Sequence, residues 1–198
     1  MKDHFKHRAQ TWDTADVRVN GAKKIANAIE KNIQLNKDME ILDFGVGTGL
    51  LGFEIAKKVK QVYGVDTSLN MLEKLQEKNT PELYINTFHQ NILEEPIQKT
   101  FDGVISSMTL HHVENLKHFF ETIYKNIKKD GFLAIADLES EDGTFHSDNT
   151  GVHHFGFDTQ ELCTIVSKAG FKNISFEHAN TITKPHNDFK VFLLLAYK

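Results

Sequence analysis

Short apolar segments with strand character recur along the chain between segments with helix character. This alternation constrains the fold more than any other feature, because strands separated by helices pair in parallel. The strand segments are 40–44, 61–65, 83–88, 102–106, 132–137, 174–177 and 190–197, enough for one seven-stranded sheet. Between the fourth and fifth, Val113, Leu116, Phe119, Phe120, Ile123 and Ile127 recur at helical spacing. They form an apolar stripe on a helix that ends at Lys128, Lys129 and Gly131. A second helix is announced by Asp158 with Glu161 three residues on, continues through Leu162, Ile165, Val166 and Ala169, and stops at Gly170. The last two strand segments have no helical pattern between them, only 180–188 with Pro185, so they are expected to pair as an antiparallel hairpin. The expected fold is α/β, a mixed, mostly parallel sheet with helices on both faces. Ahead of the first strand, Val19, Ala22, Ile25, Ala26, Ile29 and Ile33 have helical spacing, while residues 1–18 have no clear period. Residues 1–36 are therefore expected as a helical cap segment and 37–198 as the core of a single domain.

The first strand runs directly into Asp43-Phe44-Gly45-Val46-Gly47-Thr48-Gly49, and a helix-compatible stretch, 50–58, follows. In open α/β sheets ligands sit beyond the carboxyl ends of the strands, and a turn approaches one closely where side chains are absent. Gly45, Gly47 and Gly49 supply that closeness. A tight turn with no ligand would use the same glycines, so a second signal is needed. Asp66 ends the second strand 21 positions after Gly45, near the spacing of about 20 at which a carboxylate receives ribose hydroxyls. Together the two point to a nucleoside. The dinucleotide pattern G-x-G-x-x-G fails from Gly45, where Leu50 takes the third glycine position, but is met from Gly47 to Gly52. An NAD(P)-dependent oxidoreductase is thus an alternative. Tyr124 and Lys128 have the Tyr-x-x-x-Lys spacing of short-chain dehydrogenases, yet they fall at the far end of the fifth strand from its tip, out of reach of a nicotinamide.

The stretch Ile41 to Gly49 resembles motif I of the class I S-adenosylmethionine-dependent methyltransferases. Val65-Asp66-Thr67-Ser68 with Met71-Leu72 resembles the family's segment after strand two, and Phe101-Asp102-Gly103-Val104-Ile105-Ser106-Ser107 with Leu110-His111-His112-Val113 resembles its fourth motif. Lys128-Lys129-Asp130-Gly131-Phe132-Leu133 resembles its entry to strand five, and the likeness runs in order over roughly residues 39 to 198. It implies a Rossmann-like fold and methyl transfer from S-adenosyl-L-methionine. Residue by residue, it implies that Gly45 and Gly47, within the turn closed by Gly49, contact the cofactor through the backbone. Asp43 would serve its amino-acid end, Asp66 the ribose, Thr67 and Met71 the adenine, and the Ser106 carbonyl the ammonium group. Where the family has an Asp before a hydrophobic residue after strand three, this chain has Asn91-Ile92, and the Asn91 amide oxygen can still accept a hydrogen bond. A cofactor that carries a sulfonium and an ammonium group and no phosphate suits a site of carboxylates and carbonyls. A non-catalytic module that only binds the cofactor would show the same motifs.

Composition narrows the acceptor. With 23 basic against 27 acidic residues there is no excess to neutralise a phosphate backbone, so no nucleic-acid partner is expected. The residues after strand four, Ser106-Ser107-Met108-Thr109, also lack the Pro-Pro-aromatic motif of enzymes that methylate nucleic-acid amines. The longest apolar run, residues 191 to 196, is far short of the roughly 20 residues of a membrane span, and residues 1–14 are polar, which points to a cytoplasmic protein with no membrane partner. Cys163 is the only cysteine, which excludes thiol-based arsenite chemistry. A small organic acceptor is left. Its pocket is expected between Trp12, His111, His112 and the segment from His146 to Phe157, with His154 facing it. The long stretch from Leu138 to Phe157 is expected as a lid, with Gly156 its hinge. His146, His153 and His154 with Asp148 are metal-capable, but no H-x-x-x-H or H-E-x-x-H helix carries them, and no metal is expected.

Overall fold

The computed structural model describes residues 9–198; residues 1–8 of the expected cap segment lie outside the described residues. Strands β1 (Glu40–Phe44), β2 (Gln61–Asp66), β3 (Ile85–His89), β4 (Phe101–Ser107), β5 (Ile127–Leu138), β6 (Lys172–Lys184) and β7 (Asn187–Tyr197) form one sheet in the order β3-β2-β1-β4-β5-β7-β6. The first five run parallel, and β7 runs against both of its neighbours, β5 and β6. Strand order reverses between β1 and β4, and such a reversal opens a crevice over the strand ends.

Side chains alternate across the pleat, so each strand feeds two cores. On one face Ile41, Ile105 and Ala134 pack against α1 (Asp16–Asn32), α2 (Leu50–Ala56) and α3 (Leu69–Gln76) through Ile25, Ile29, Ile55, Leu72 and Leu75. On the other, Leu42, Val104 and Leu133 pack against α4 (Leu116–Asn126) and α5 (Thr159–Lys168) through Phe119, Phe120, Ile123, Leu162 and Val166. The start expected at Asp158 forms, its carboxylate accepting from the N–H groups of Gln160 and Glu161 at 2.8 and 3.0 Å, and α4 is capped in the same way by Asn115, which accepts from the His118 N–H at 3.0 Å. Gly170 ends α5 at φ +106, with the Tyr124 ring 3.1 Å from where a Cβ would stand. Tyr124 also packs edge-on to Phe171, and Lys128 pairs with Asp102 at 2.9 Å, so the Tyr-x-x-x-Lys pair has structural partners.

The hairpin departs from expectation in length. The sequence pattern ends the two strands on either side of 180–188, but the ladder runs on through Thr181↔Lys190 and Thr183↔Asp188, leaving two residues, Pro185 and His186, outside it. Ala179 and Ile182 pack against the first core, and that packing extends the strands beyond the point where Asn180 and Pro185 suggested a break. The α1 helix docks on the same strand: Lys24 donates to Asn180 at 3.0 Å and Asn32 to Glu177 at 2.9 Å.

Candidate functional site

The turn after β1 is built from three glycines with left-handed backbone, Gly45 at φ +67, Gly47 at φ +53 and Gly49 at φ +85. Two of them are required by what lies against them. A Cβ on Gly45 would stand 2.2 Å from the Thr109 methyl, and one on Gly49 would stand 2.8 Å from the Phe53 ring. A Cβ on Gly47 would meet nothing within 4 Å. The backbone at Gly47 therefore faces open space at the sheet's carboxyl end, which leaves room for a ligand to lie against it. Gly49 also leads into α2.

Asp66 holds this turn from the end of β2. One carboxylate oxygen accepts from the Gly47 N–H at 2.8 Å and the other from the Ser68 N–H at 2.8 Å. Ser68 in turn caps α3 through the Met71 N–H, and Met71 is buried below it. Thr67 is exposed, with its carbonyl 3.2 Å from His89 Nε2. Asn91 is half-buried and its side-chain oxygen accepts from the Leu93 N–H, while Ile92 is buried in the second core. The Ser106 hydroxyl donates to the Phe44 carbonyl at 2.7 Å, tying β4 to β1 just below the crevice.

Asp43 is buried beneath the turn, and its Oδ2 has no hydrogen-bond partner. Burial, and then the charge of Asp66, push its carboxyl well above the ordinary range, against a smaller opposing pull from the Gly52 N–H. Among the described residues, two carboxylates act on one another at this turn and one of them carries an orphaned oxygen. The electrostatics of the turn favour a cation and oppose a pyrophosphate. An ordinary carboxylate ionises in the unfolded chain at a pH where the folded Asp43 resists ionisation. Ligand-free protein therefore loses stability as pH rises from the ordinary carboxylate range up through the raised pKa. Asp43→Asn is expected to raise the unfolding midpoint of ligand-free protein, by an amount that grows with pH across that window, and to weaken binding of a cationic ligand. Paired thermal melts at acid and neutral pH check this; a gain equal at both would reject the assignment of the strain to Asp43.

Sequence reasoning missed how the N-terminal segment meets this turn. A 3-10 segment, Ala9–Thr14, crosses above it, and Asp13 accepts from the Thr48 hydroxyl and from Lys78, each at 2.5 Å. Trp12 in the same segment is half-buried, with the Arg18 guanidinium 4.2 Å from its ring centroid. Thr109 and Met108 were missed as well: the Thr109 methyl fills the space that Gly45 leaves, and Met108 adopts φ +55 to make that turn.

The histidines gather beyond β4 and β5. His111 is buried and its Nδ1–H donates to Asp137 at 2.7 Å. His112 Nδ1–H donates to the Gly151 carbonyl at 2.7 Å. His146 packs its ring against both, at centroid distances of 4.9 Å from His111 and 6.0 Å from His112. Burial, with the neighbouring imidazole charge, pushes His112 and His146 each down to about 4. His154 stands apart from this group: its Nε2 lies 2.9 Å from the Val113 carbonyl, and its ring packs on Phe157. The segment 139–157 is pinned at both ends. Ser140 and Glu141 N–H groups donate to Phe157 and Phe155, and His153 and His154 N–H groups donate to the His111 carbonyl. Gly156 sits at the crossing, where a Cβ would stand 2.1 Å from the Glu139 carbonyl oxygen. It permits a close backbone approach, where the sequence suggested a hinge.

Comparison with known proteins gives this geometry a family. The profile of a methyltransferase domain family matches residues 17–176. An uncharacterized methyltransferase of Schizosaccharomyces pombe is 33% identical over 172 residues, covering 77% of this chain and 58% of the relative. The malonyl-[acyl-carrier protein] O-methyltransferase of Priestia megaterium is 30% identical over 148 residues, covering 73% of this chain and 53% of the relative. The chain thus spans between half and three-fifths of the length of these two relatives. Among solved structures, a chain of the Haloferax volcanii complex between a methyltransferase activator and a methyltransferase superposes with a TM-score of 0.76 at 16% identity, covering 100% of this chain and 98% of that one. Phosphoethanolamine N-methyltransferase 2 of Haemonchus contortus superposes with a TM-score of 0.71 at 18% identity, covering 100% of this chain and 60% of that one. The sheet order, the glycine turn with its two carboxylates and the match over residues 17–176 place the chain in the class I S-adenosylmethionine-dependent methyltransferase family.

Proposed function

We propose that this protein transfers a methyl group from S-adenosyl-L-methionine to a small organic acceptor. The observation that carries the reading is the pair Asp43 and Asp66 at an open glycine turn, one with an orphaned buried oxygen and the other presented at the end of β2. When bound, the cofactor supplies a methyl group on a cationic sulfur that is already an activated leaving group. Asp43 would hold the cationic amino-acid end, Asp66 the ribose hydroxyls, and the open face of Gly47 the adjoining backbone. Thr67, Met71, Asn91 and Ile92 would border the adenine. The rest of the work is alignment, and orientation of this kind can lower a barrier by up to roughly 7–11 kcal/mol. Trp12, His111 and His112 would line the acceptor side, with His154 holding the wall through Val113. A cytoplasmic location and a single-domain organisation belong to the same reading, and the lone Cys163 asks for no oxidising compartment.

The alternative, an NAD(P)-dependent oxidoreductase, would have to place a pyrophosphate near Asp43. Thermal melts separate the two. A ligand at about 100 times its Kd stabilises the folded state by roughly 2.7 kcal/mol, so S-adenosylhomocysteine is expected to raise the midpoint and NADH to leave it unchanged. Labelled methyl transfer to a panel of small hydroxyl, amine and carboxylate compounds then tests turnover. Stabilisation by NADH alone would overturn the reading, and cofactor binding with no turnover over a broad panel would favour a binding module.

A further inference from the structure

From the histidine cluster we infer a metal centre: His111, His112 and His146 form a site for a divalent transition-metal ion. One ring nitrogen from each lies within 4.8 Å of the other two, and this is the group of that kind found among the described residues. The sequence suggested a different set, His146, His153 and His154 with Asp148, and no metal. The chain instead folds the 139–157 segment back so that His146 meets the two histidines beyond β4.

Three features make this a built site. A carbonyl oxygen can only accept, so the bond to Gly151 puts the hydrogen of neutral His112 on Nδ1 and leaves the lone pair on Nε2. The Asp137 carboxylate does the same for His111 while also accepting from the Leu138 N–H at 2.8 Å, which fixes the ring's orientation. Carboxylate or carbonyl behind imidazole is the arrangement that orients metal-ligating histidines and sets their tautomer. The third feature is independent of these two: His146 Nδ1 is buried with no hydrogen-bond partner, a donor or acceptor that the protein leaves unanswered. Metal–nitrogen bonds of about 2.0–2.1 Å require ligand nitrogens roughly 3.4 Å apart in a tetrahedral set. A group spread over as much as 4.8 Å has to contract by up to about 1.4 Å to reach that spacing, a motion that falls on His146, the histidine whose Nδ1 no partner holds.

Three imidazoles select a borderline ion such as Zn²⁺, Co²⁺, Ni²⁺ or Cu²⁺ over Mg²⁺ or Ca²⁺, which take oxygen ligands. Three protein ligands leave a further position open. On the methyltransferase reading, on which this clause alone rests, that position faces the acceptor side and suits an acceptor that offers an oxygen or nitrogen ligand atom.

The test uses the full chain, stripped with chelator and titrated with Co²⁺ and with Zn²⁺. The expected result is one ion per chain, visible Co²⁺ absorption of a low-coordinate nitrogen site, and displacement of Co²⁺ by Zn²⁺. His146→Ala is expected to weaken binding at least tenfold, and Asp137→Asn by roughly 10–100-fold as a partner behind a ligand. His153→Ala, an exposed histidine on the same segment, serves as the control and is expected to bind as wild type. Binding of S-adenosylhomocysteine, measured on the same samples, reports on the methyltransferase reading and on folding separately. Absence of stoichiometric binding in protein that binds S-adenosylhomocysteine would overturn the metal site, as would equal losses in the His146 and His153 variants.

Discussion

Asp66→Ala is expected to weaken S-adenosylhomocysteine binding by more than tenfold. In the ligand-free protein each carboxylate oxygen accepts one backbone N–H, from Gly47 and from Ser68. A carboxylate has about four acceptor sites, and the ribose hydroxyls would be received on the same two oxygens. Charge-assisted bonds of this kind contribute roughly 1.5–3 kcal/mol each, and two of them exceed the 1.4 kcal/mol of a tenfold change. The alanine also frees the Gly47 N–H, so the turn that must approach the ligand loses its tether at the same time. Asp66→Asn retains one acceptor oxygen and should fall between the two. Calorimetry on folded variants decides the matter: affinity unchanged in Asp66→Ala would mean that the ribose lies elsewhere.

The sheet was legible because its signals are local. Strand alternation, the apolar stripe of α4 and the cap at Asp158 each lie within a few residues of the structure they specify. The glycine turn and Asp66 were legible for a related reason, since β1 and β2 are parallel neighbours and their tips must meet. What the sequence did not show are contacts between segments whose approach depends on the whole fold. Asp13 reaches Thr48 and Lys78 across 35 and 65 residues, and no periodicity marks residues 9–14. His146 meets His111 only because 139–157 closes on itself through Glu139↔Phe157, a pairing carried by backbone and not by side-chain pattern. Of the adjacent pair His153 and His154, the second turned out to latch the segment to Val113 while the first is exposed. Nothing in their residue type distinguishes the two.

Asp137 is another residue whose partners only the whole fold supplies, and its loss is expected to be severe. It reads as the last residue of a buried strand, one among Leu133, Ala134, Ile135 and Ala136, where a carboxylate has no evident partner. In the fold it is fully buried and accepts three hydrogens, from His111 Nδ1, from the His111 backbone N–H at 3.3 Å and from the Leu138 N–H. It therefore fastens the turn beyond β4 to the end of β5. Removing one partner of a buried pair costs about 3–5 kcal/mol, because the other is left desolvated and unanswered. Asp137→Ala leaves the His111 imidazole in that state, and for a chain of this length the loss corresponds to a fall in midpoint of roughly 6–20 °C. Asp137→Asn keeps an oxygen for His111 and Leu138 and should lose less. His111→Ala leaves the carboxylate itself unpaired, so the substitution damages the fold as well as the acceptor side, and its effect on turnover can be read only at a temperature where the variant is folded. Melts in the presence of chelator, which remove any contribution from a bound ion, give the comparison. A midpoint for Asp137→Ala within about 2 °C of wild type, less than 1 kcal/mol at this size, would show that the pair does not hold the two strand ends together.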